Sequence, residues 1–327
     1  MKTNLTSTIL TASAALAITA FVILTGCAKE NGAKPDSWTD LEIASVSSES
    51  SPSKTVIDGT TFPTNKGSIG LFLFKDAAAT TYYGTSDTGY KNVSYSWNST
   101  KSKWTANPSI KVGSTTGYLY GYFPYIETNT DIKAIPVTST LNGDDVMYVS
   151  KQTVTDKTAA GTSIVMNHAL ARIALTVTKS DYTGEAKLTN INFTNAEGTA
   201  DADKVKIASS GTLNAVDGTI NATIADAVSF NVPSGEQEIN ADTGTTYECL
   251  LVPSAPVDTR QTVILTLKID SDDKSIELSG DNGVIIKSGV KSTISITLSN
   301  TGLAVSSVSI TDWGTGTVHE GTIGGDI

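Results

Sequence analysis

The chain has 327 residues, a net charge of −10, 39% hydrophobic residues and two cysteines. Its acidic side chains are scattered and no basic stripe exists to meet phosphate, which argues against a nucleic-acid partner. With the two cysteines at Cys27 and Cys249, at opposite ends of different contexts, no disulfide framework is expected and packing has to supply the stability.

Lys2 is followed by an apolar stretch from Ile9 to Leu24 that ends in Phe21-Val-Ile-Leu-Thr-Gly26-Cys27. This is the layout of a secretory signal segment closed by a lipobox, and it is too short and too rich in Ser and Thr for a permanent span. Cleavage between Gly26 and Cys27 then leaves Cys27 as the acylated first residue. Several acyl chains, at about 0.8 kcal/mol per buried methylene, hold such a protein to a bilayer far longer than one chain would. An ordinary signal peptide with an incidental cysteine is the alternative. Removing residues 1–26 leaves enough chain for two domains of roughly 150 residues each. Residues 27–55 are polar and Ser-rich and read as a tether that begins to order only near Leu41-Glu42-Ile43.

Beyond the tether no long segment keeps a 3.6-residue apolar period, and Ser, Thr, Val, Ile and Tyr dominate, so the fold class is all-β. Ile69 to Phe74 reads as a core strand. Val93 to Trp97 and Trp104 to Ala106 flank a polar loop as a hairpin closed by the two Trp residues. Tyr118 to Tyr125 places Tyr118, Tyr120 and Tyr122 on one face and Leu119 and Phe123 on the other. Asn167 to Val177 is expected to be the last strand of a first domain, residues 56–179. From residue 180 to 327 the pattern restarts with shorter strands at Leu188, Thr219, Ser229, Tyr247, Val263, Ser275 and Thr293, and closes with Val308 to Trp313. Turn residues every 8–15 positions or so are the signature of a Greek-key sandwich, and two β-sandwiches in tandem are expected.

The lipobox, the Thr60-Thr-Phe-Pro63 to Ile69-Gly-Leu-Phe72 segment, the Tyr-rich strand to Pro124-Tyr125, the His168-Ala-Leu-Ala171 entry to an apolar strand and the closing Ile310-Thr-Asp-Trp313 together resemble the fimbrillin family of Bacteroidales surface proteins, the subunits and accessory proteins of type V pili. The resemblance implies two transthyretin-like domains and export as a lipidated precursor to the outer membrane. It also implies assembly with other pilin subunits: a protease removes the tether with the first strand, and the vacated groove accepts a strand from the next subunit. Val308, Ile310 and Trp313 then belong to a candidate donor or docking strand. Ala28-Lys-Glu30 resembles the surface-export signal of Bacteroidetes lipoproteins. The chain departs from the family's stalk pilins in having no arginine before Arg172; Lys54 stands where that basic residue is expected. Lys54 is thus a candidate processing point, with a solvated tether lysine, and a chain that is never cut and serves as an anchor, as the alternatives. Host or microbial surface ligands are expected partners of such a protein.

Catalytic signals are absent. His168 borders a core strand and His319 lies in the tail, so neither a His-activated nucleophile nor a metal site has support, and no cofactor is expected. Asp144-Asp145, Asp201-x-Asp203 and Asp272-Asp273 sit in turn-like contexts where Asp bonds its own backbone, although calcium at Asp201 and Asp203 is conceivable. Cys249 reads as a small buried hydrophobe. The competing function is a surface glycan binder that stacks sugars on Trp97, Trp104 and the Tyr118 to Tyr122 row; burial of these rings decides between the two.

Overall fold

The computed structural model describes residues 38–48, 62, 64–65, 67–84, 89–196, 206–254 and 258–313, and it is all-β, as expected. The strands before residue 170 are β1 (Thr39–Asp40), β2 (Ile43–Ser48), β3 (Ile69–Phe74), β4 (Tyr90–Asn98), β5 (Lys103–Thr105), β6 (Lys111–Val112), β7 (Gly117–Phe123), β8 (Ile135–Thr138), β9 (Thr140–Leu141), β10 (Met147–Val154) and β11 (Thr162–His168). Seven of them close into a barrel in the order β10-β11-β2-β5-β4-β3-β7. Its interior is filled by alternate residues of these strands, among them Ile43, Leu71, Tyr95, Trp104, Leu119 and Met166. The expected hairpin is present: Trp97 lies directly opposite Trp104, their rings edge-on with centroids 6.0 Å apart.

β3 and β7 are apolar on both faces, and that is what joins the two halves of the molecule. Leu71, Leu73, Leu119 and Phe123 point into the barrel. Phe72, Phe74, Tyr120 and Tyr122 point out of it into a second core that also holds Ile135, Leu170, Leu213, Leu250 and Trp313. The tyrosine row is therefore an internal seam. Tyr122 and Tyr120 are buried, and their hydroxyls are satisfied within the protein, by Asn92 and Ile126 and by the carbonyl of Ala77. Trp104 is buried and Trp97 half-buried against the barrel core, so the sugar-stacking platform does not exist.

The remaining strands are β12 (Ala171–Lys179), β13 (Lys187–Asn195), β14 (Ala208–Asn214), β15 (Thr219–Ile224), β16 (Ala227–Asn231), β17 (Gln237–Glu238), β18 (Thr245–Leu251), β19 (Val263–Ile269), β20 (Asp272–Leu278), β21 (Val290–Ser299) and β22 (Gly302–Asp312). A sheet in the order β22-β21-β12-β18-β9 packs on a second, β16-β13-β19-β20, and the largest core lies between them, with Ile173, Leu175, Cys249, Ile294 and Ile296 facing Leu188, Phe193, Leu265 and Leu267. Cys249 is fully buried there, and burial pushes its thiol pKa up. The strand expected to end the first domain, β12, is instead the central strand of this sheet. It pairs antiparallel with β18 and parallel with β21, because Ile173, Leu175 and Val177 match the alternation of Ile294, Ile296 and Leu298 beside them. Nothing in the local pattern of β12 distinguishes that partner from a barrel strand.

Gly70 is required by the seam. It lies opposite Tyr122 in the β3–β7 ladder, and a Cβ placed on it would lie 2.5 Å from Cε1 of Tyr122 and 2.6 Å from Oδ1 of Asn92. Both atoms belong to groups fixed by hydrogen bonds, so neither can move aside cheaply. Gly70→Ala is expected to destabilise the fold by about 1–3 kcal/mol through overpacking, seen as a lower denaturant midpoint with an unchanged slope.

Candidate assembly site

The amino-terminal stretch of the described chain is laced into the barrel rather than hanging from it. β1 pairs with β6, and β2 lies parallel to β11 on one side and meets β5 through Ile43 opposite Trp104 on the other. Between them the amide of Leu41 donates to the carbonyl of Ile110 and that of Glu42 to Ala159, each at 2.8 Å. Tyr95 donates to the Leu41 carbonyl from inside the barrel at 3.0 Å. Leu41, Ile43 and Val46 are buried in the barrel core. Between Ile43 and Val46 the register with β11 shifts, so two residues three apart in sequence both point inward.

Carboxylates of this stretch meet lysines of the neighbouring strands. Glu42 accepts from Lys101 at 2.8 Å and from Lys103 at 2.9 Å, and Asp40 pairs with Lys111 at 2.6 Å and accepts from Ser109. The Lys111 and Ser109 bonds hold the Asp40 carboxyl below its ordinary 3.8, and the Lys101 and Lys103 bonds hold Glu42 below 4.5. Apart from Glu42, in the stretch where the tether was expected to begin to order, none of these residues stood out in sequence; only the pairing of strands far apart in the chain assembles them.

At the other end, β22 is an edge strand that pairs with β21 alone. A register shift near Ser306 changes which residues face inward, so Leu303 and Val305 before it and Val308 after it pack on the large core, while Ile310 is buried against Ile285 and Val290. The strand finishes at Trp313, which is 2% exposed. Its amide donates to the Gly289 carbonyl at 2.7 Å, its ring stacks on His168 with centroids 4.0 Å apart and planes 10° apart, and the Arg172 guanidinium sits 5.6 Å from its centre. His168 in turn contacts Asp145 through Nδ1 at 2.5 Å, and Arg172 forks onto Glu248 at 2.7 and 2.9 Å. Burial raises the Asp145 pKa, against the opposing pull of His168 and Arg172. Asp145 was expected to bond its own backbone in a turn; it takes a local backbone bond from Val146 and is also a buried hydrogen-bond partner of His168, because the pairing of β10 with β11 sets Met147 against His168 and brings the two together.

Val308 and Ile310 thus lie on β22, and Trp313 directly follows its end. Gly26, Cys27, Lys54, His319, Asp201 and Asp203 lie outside the described residues. Among the described residues no group of three or more His, Cys, Asp and Glu is placed to hold a metal ion.

These features define an all-β protein with two backbone surfaces of note, a barrel stave at the amino end and an edge strand at the carboxyl end. A family model described as fimbrillin-like matches residues 55–313, and the chain belongs to that family. Similar solved structures include a candidate cell-adhesion protein of Bacteroides uniformis, with 18% identity, a TM-score of 0.58, and coverage of 84% of this chain and 99% of the other. A candidate cell-adhesion protein of Bacteroides ovatus has 16% identity, a TM-score of 0.59, and coverage of 85% and 98%. The fimbrial anchor protein Mfa2 of Porphyromonas gingivalis aligns with 11% identity and a TM-score of 0.36, over 85% and 99% of the two chains. The two Bacteroides structures, at these identities, show a likeness of fold alone. A search of the curated proteins returned no match.

Two outcomes are expected. Asp145→Ala removes the buried hydrogen-bond partner of His168 and should cost about 1–3 kcal/mol in a denaturant titration. Because Asp40 and Glu42 have depressed pKa values in the folded state, their contribution is present in full above 4.5 and is lost as the pH falls through the depressed values, below 3.8 for Asp40. In protein nicked between Ser48 and Phe62, the amino-terminal fragment should stay bound at neutral pH and dissociate progressively in acid. The double variant Asp40→Asn/Glu42→Gln should flatten that dependence.

Proposed function

We propose that this protein is a structural, adhesive lipoprotein of the outer cell surface, held by lipid on Cys27, that enters a filament by strand exchange as a repeating subunit, an anchor or an accessory. It carries no catalytic role in this reading, and its partners are other pilin subunits and, beyond them, host or microbial surface ligands. The observation that supports it most is the place of β2: a single stave between β11 and β5, on the amino-terminal side of Lys54. A cut at Lys54 would leave the stretch that contains β1 and β2 held by non-covalent contacts alone, and so open to displacement by a strand from another subunit. On that displacement the barrel would open along one slot, with unpaired backbone on β11 and β5 and the sites of Leu41, Ile43 and Val46 uncovered. Such an edge is sticky, and an extended segment from a neighbour satisfies both its hydrogen bonds and its pockets. The fimbrillin-like match begins at residue 55, directly after Lys54.

The other half of the exchange is assigned to the strand carrying Val308, Ile310 and Trp313, which would have to leave β21 and the Trp313 contacts to enter a neighbour's slot. A contact between the amino-terminal slot of one copy and the carboxyl-terminal strand of another is head-to-tail and does not close, so repetition builds a fibre. The test is limited digestion of the chain from Ala28 onward with a lysine/arginine-specific protease, followed by an unboiled denaturing gel. A first cut between Ser48 and Phe62 and a ladder of heat-sensitive multimers, lost on deletion of residues 308–327, are expected. A first cut elsewhere in the fold, with a single monomer band, would sink the reading.

A further inference from the structure

The slot beneath β1 and β2 has an apolar floor and a charged rim. The floor is the barrel core that receives Leu41, Ile43 and Val46. The rim is made by Lys101, Lys103 and Lys111, which come from β5, β6 and the turn before β5. Among the described residues, the carboxylates within ion-pair distance of these three lysines are Asp40 and Glu42 alone. Lys103 also donates to the Ala160 carbonyl at 2.7 Å, which fixes its head group at the slot. In a chain of net charge −10, three cations gathered on one rim are a local reversal of the overall field. Loss of the amino-terminal stretch would remove both counter-charges together.

Resting on the strand-exchange reading above, we propose that this slot selects its incoming strand by charge. It takes an extended segment of another subunit with two carboxylates two residues apart and apolar residues after each, the pattern of Asp40-Leu41-Glu42-Ile43, running as β2 runs; β22 of this chain has Asp312 as its one carboxylate, so a copy of this chain is a poorer donor than a subunit that carries the pattern. The alternation follows from strand geometry: acidic side chains at one parity reach the lysine rim while apolar ones at the other enter the floor. Lys101 and Lys111 are about half exposed, at 55% and 51%. Each pair therefore adds modestly to affinity, and the three together set which partners are accepted and how fast these arrive. A segment with basic residues at the two acidic positions meets three like charges and is rejected.

The experiment uses the chain cut between Ser48 and Phe62 and stripped of its amino-terminal fragment, with two labelled peptides as probes. One has the sequence of residues 38–48; the other carries Asp40→Lys and Glu42→Lys. The first should bind at least about tenfold more tightly at low salt, with the gap narrowing as salt is added. The surface variant Lys101→Glu/Lys103→Glu/Lys111→Glu should reverse the order. Equal binding of both peptides to the cut protein would overturn charge selection and leave strand exchange standing. Binding of neither would overturn strand exchange, and this inference with it.

Discussion

The structure depends on two neighbouring strands, β3 and β7, that are buried on both faces. Each residue of Ile69–Phe74 is buried, odd positions in the barrel and Phe72 and Phe74 in the seam. A wall of this kind belongs to two cores at once, and neither half can loosen there without uncovering apolar surface of the other, at roughly 25 cal/mol per Å². The close approach it needs explains two of its three glycines. Gly70 makes room for the Tyr122 ring, and a Cβ on Gly121 would come within 2.5 Å of Leu71. The phenols on the seam side are tied to backbone carbonyls, so a polar tip is buried without a stranded donor.

Against that wall the amino-terminal stave is held differently. It is fixed by a ladder with β11, by one register pair with β5, and by ion pairs at the surface. Its apolar content is Leu41, Ile43 and Val46, small beside the six consecutive buried residues of β3. The barrel face that carries this stave is the one farthest along the ring from β3 and β7. The protein thus combines a stable body with one lightly held element, and local stability differs along the chain.

Much of this was legible in the chain. Ile69–Phe74 and Ala171–Lys179 announce themselves as apolar runs, and Val263–Ile269 alternates cleanly because one face meets the core and the other does not. β2 was nearly invisible: Ser45, Ser47 and Ser48 give it a tether's composition, and the register shift spaces Ile43 and Val46 by three rather than two. β14, Ala-Ser-Ser-Gly-Thr-Leu-Asn, carries too little apolar pattern to be seen. The partner of β12 was hidden for another reason, since alternation records a face and not the sheet it belongs to. Val308, Ile310 and Trp313 could be picked out as one strand, but not the clamp of His168, Arg172, Asp145 and Glu248, whose members are gathered only by tertiary pairing.

That clamp also decides how the carboxyl end would bear load. Tension drawn along β22 from its far end would meet Trp313 before any rung of the β21–β22 ladder. The ring is wedged against His168 and beneath Arg172, and Arg172 is bolted to Glu248 across the central strands β12 and β18. A pull would thus be passed from the rim of the sheet to its middle, and the ladder would be strained in shear only after the wedge slips. Resistance to force is set by the rate of that first slip, which gives a single tryptophan the part of a mechanical fuse.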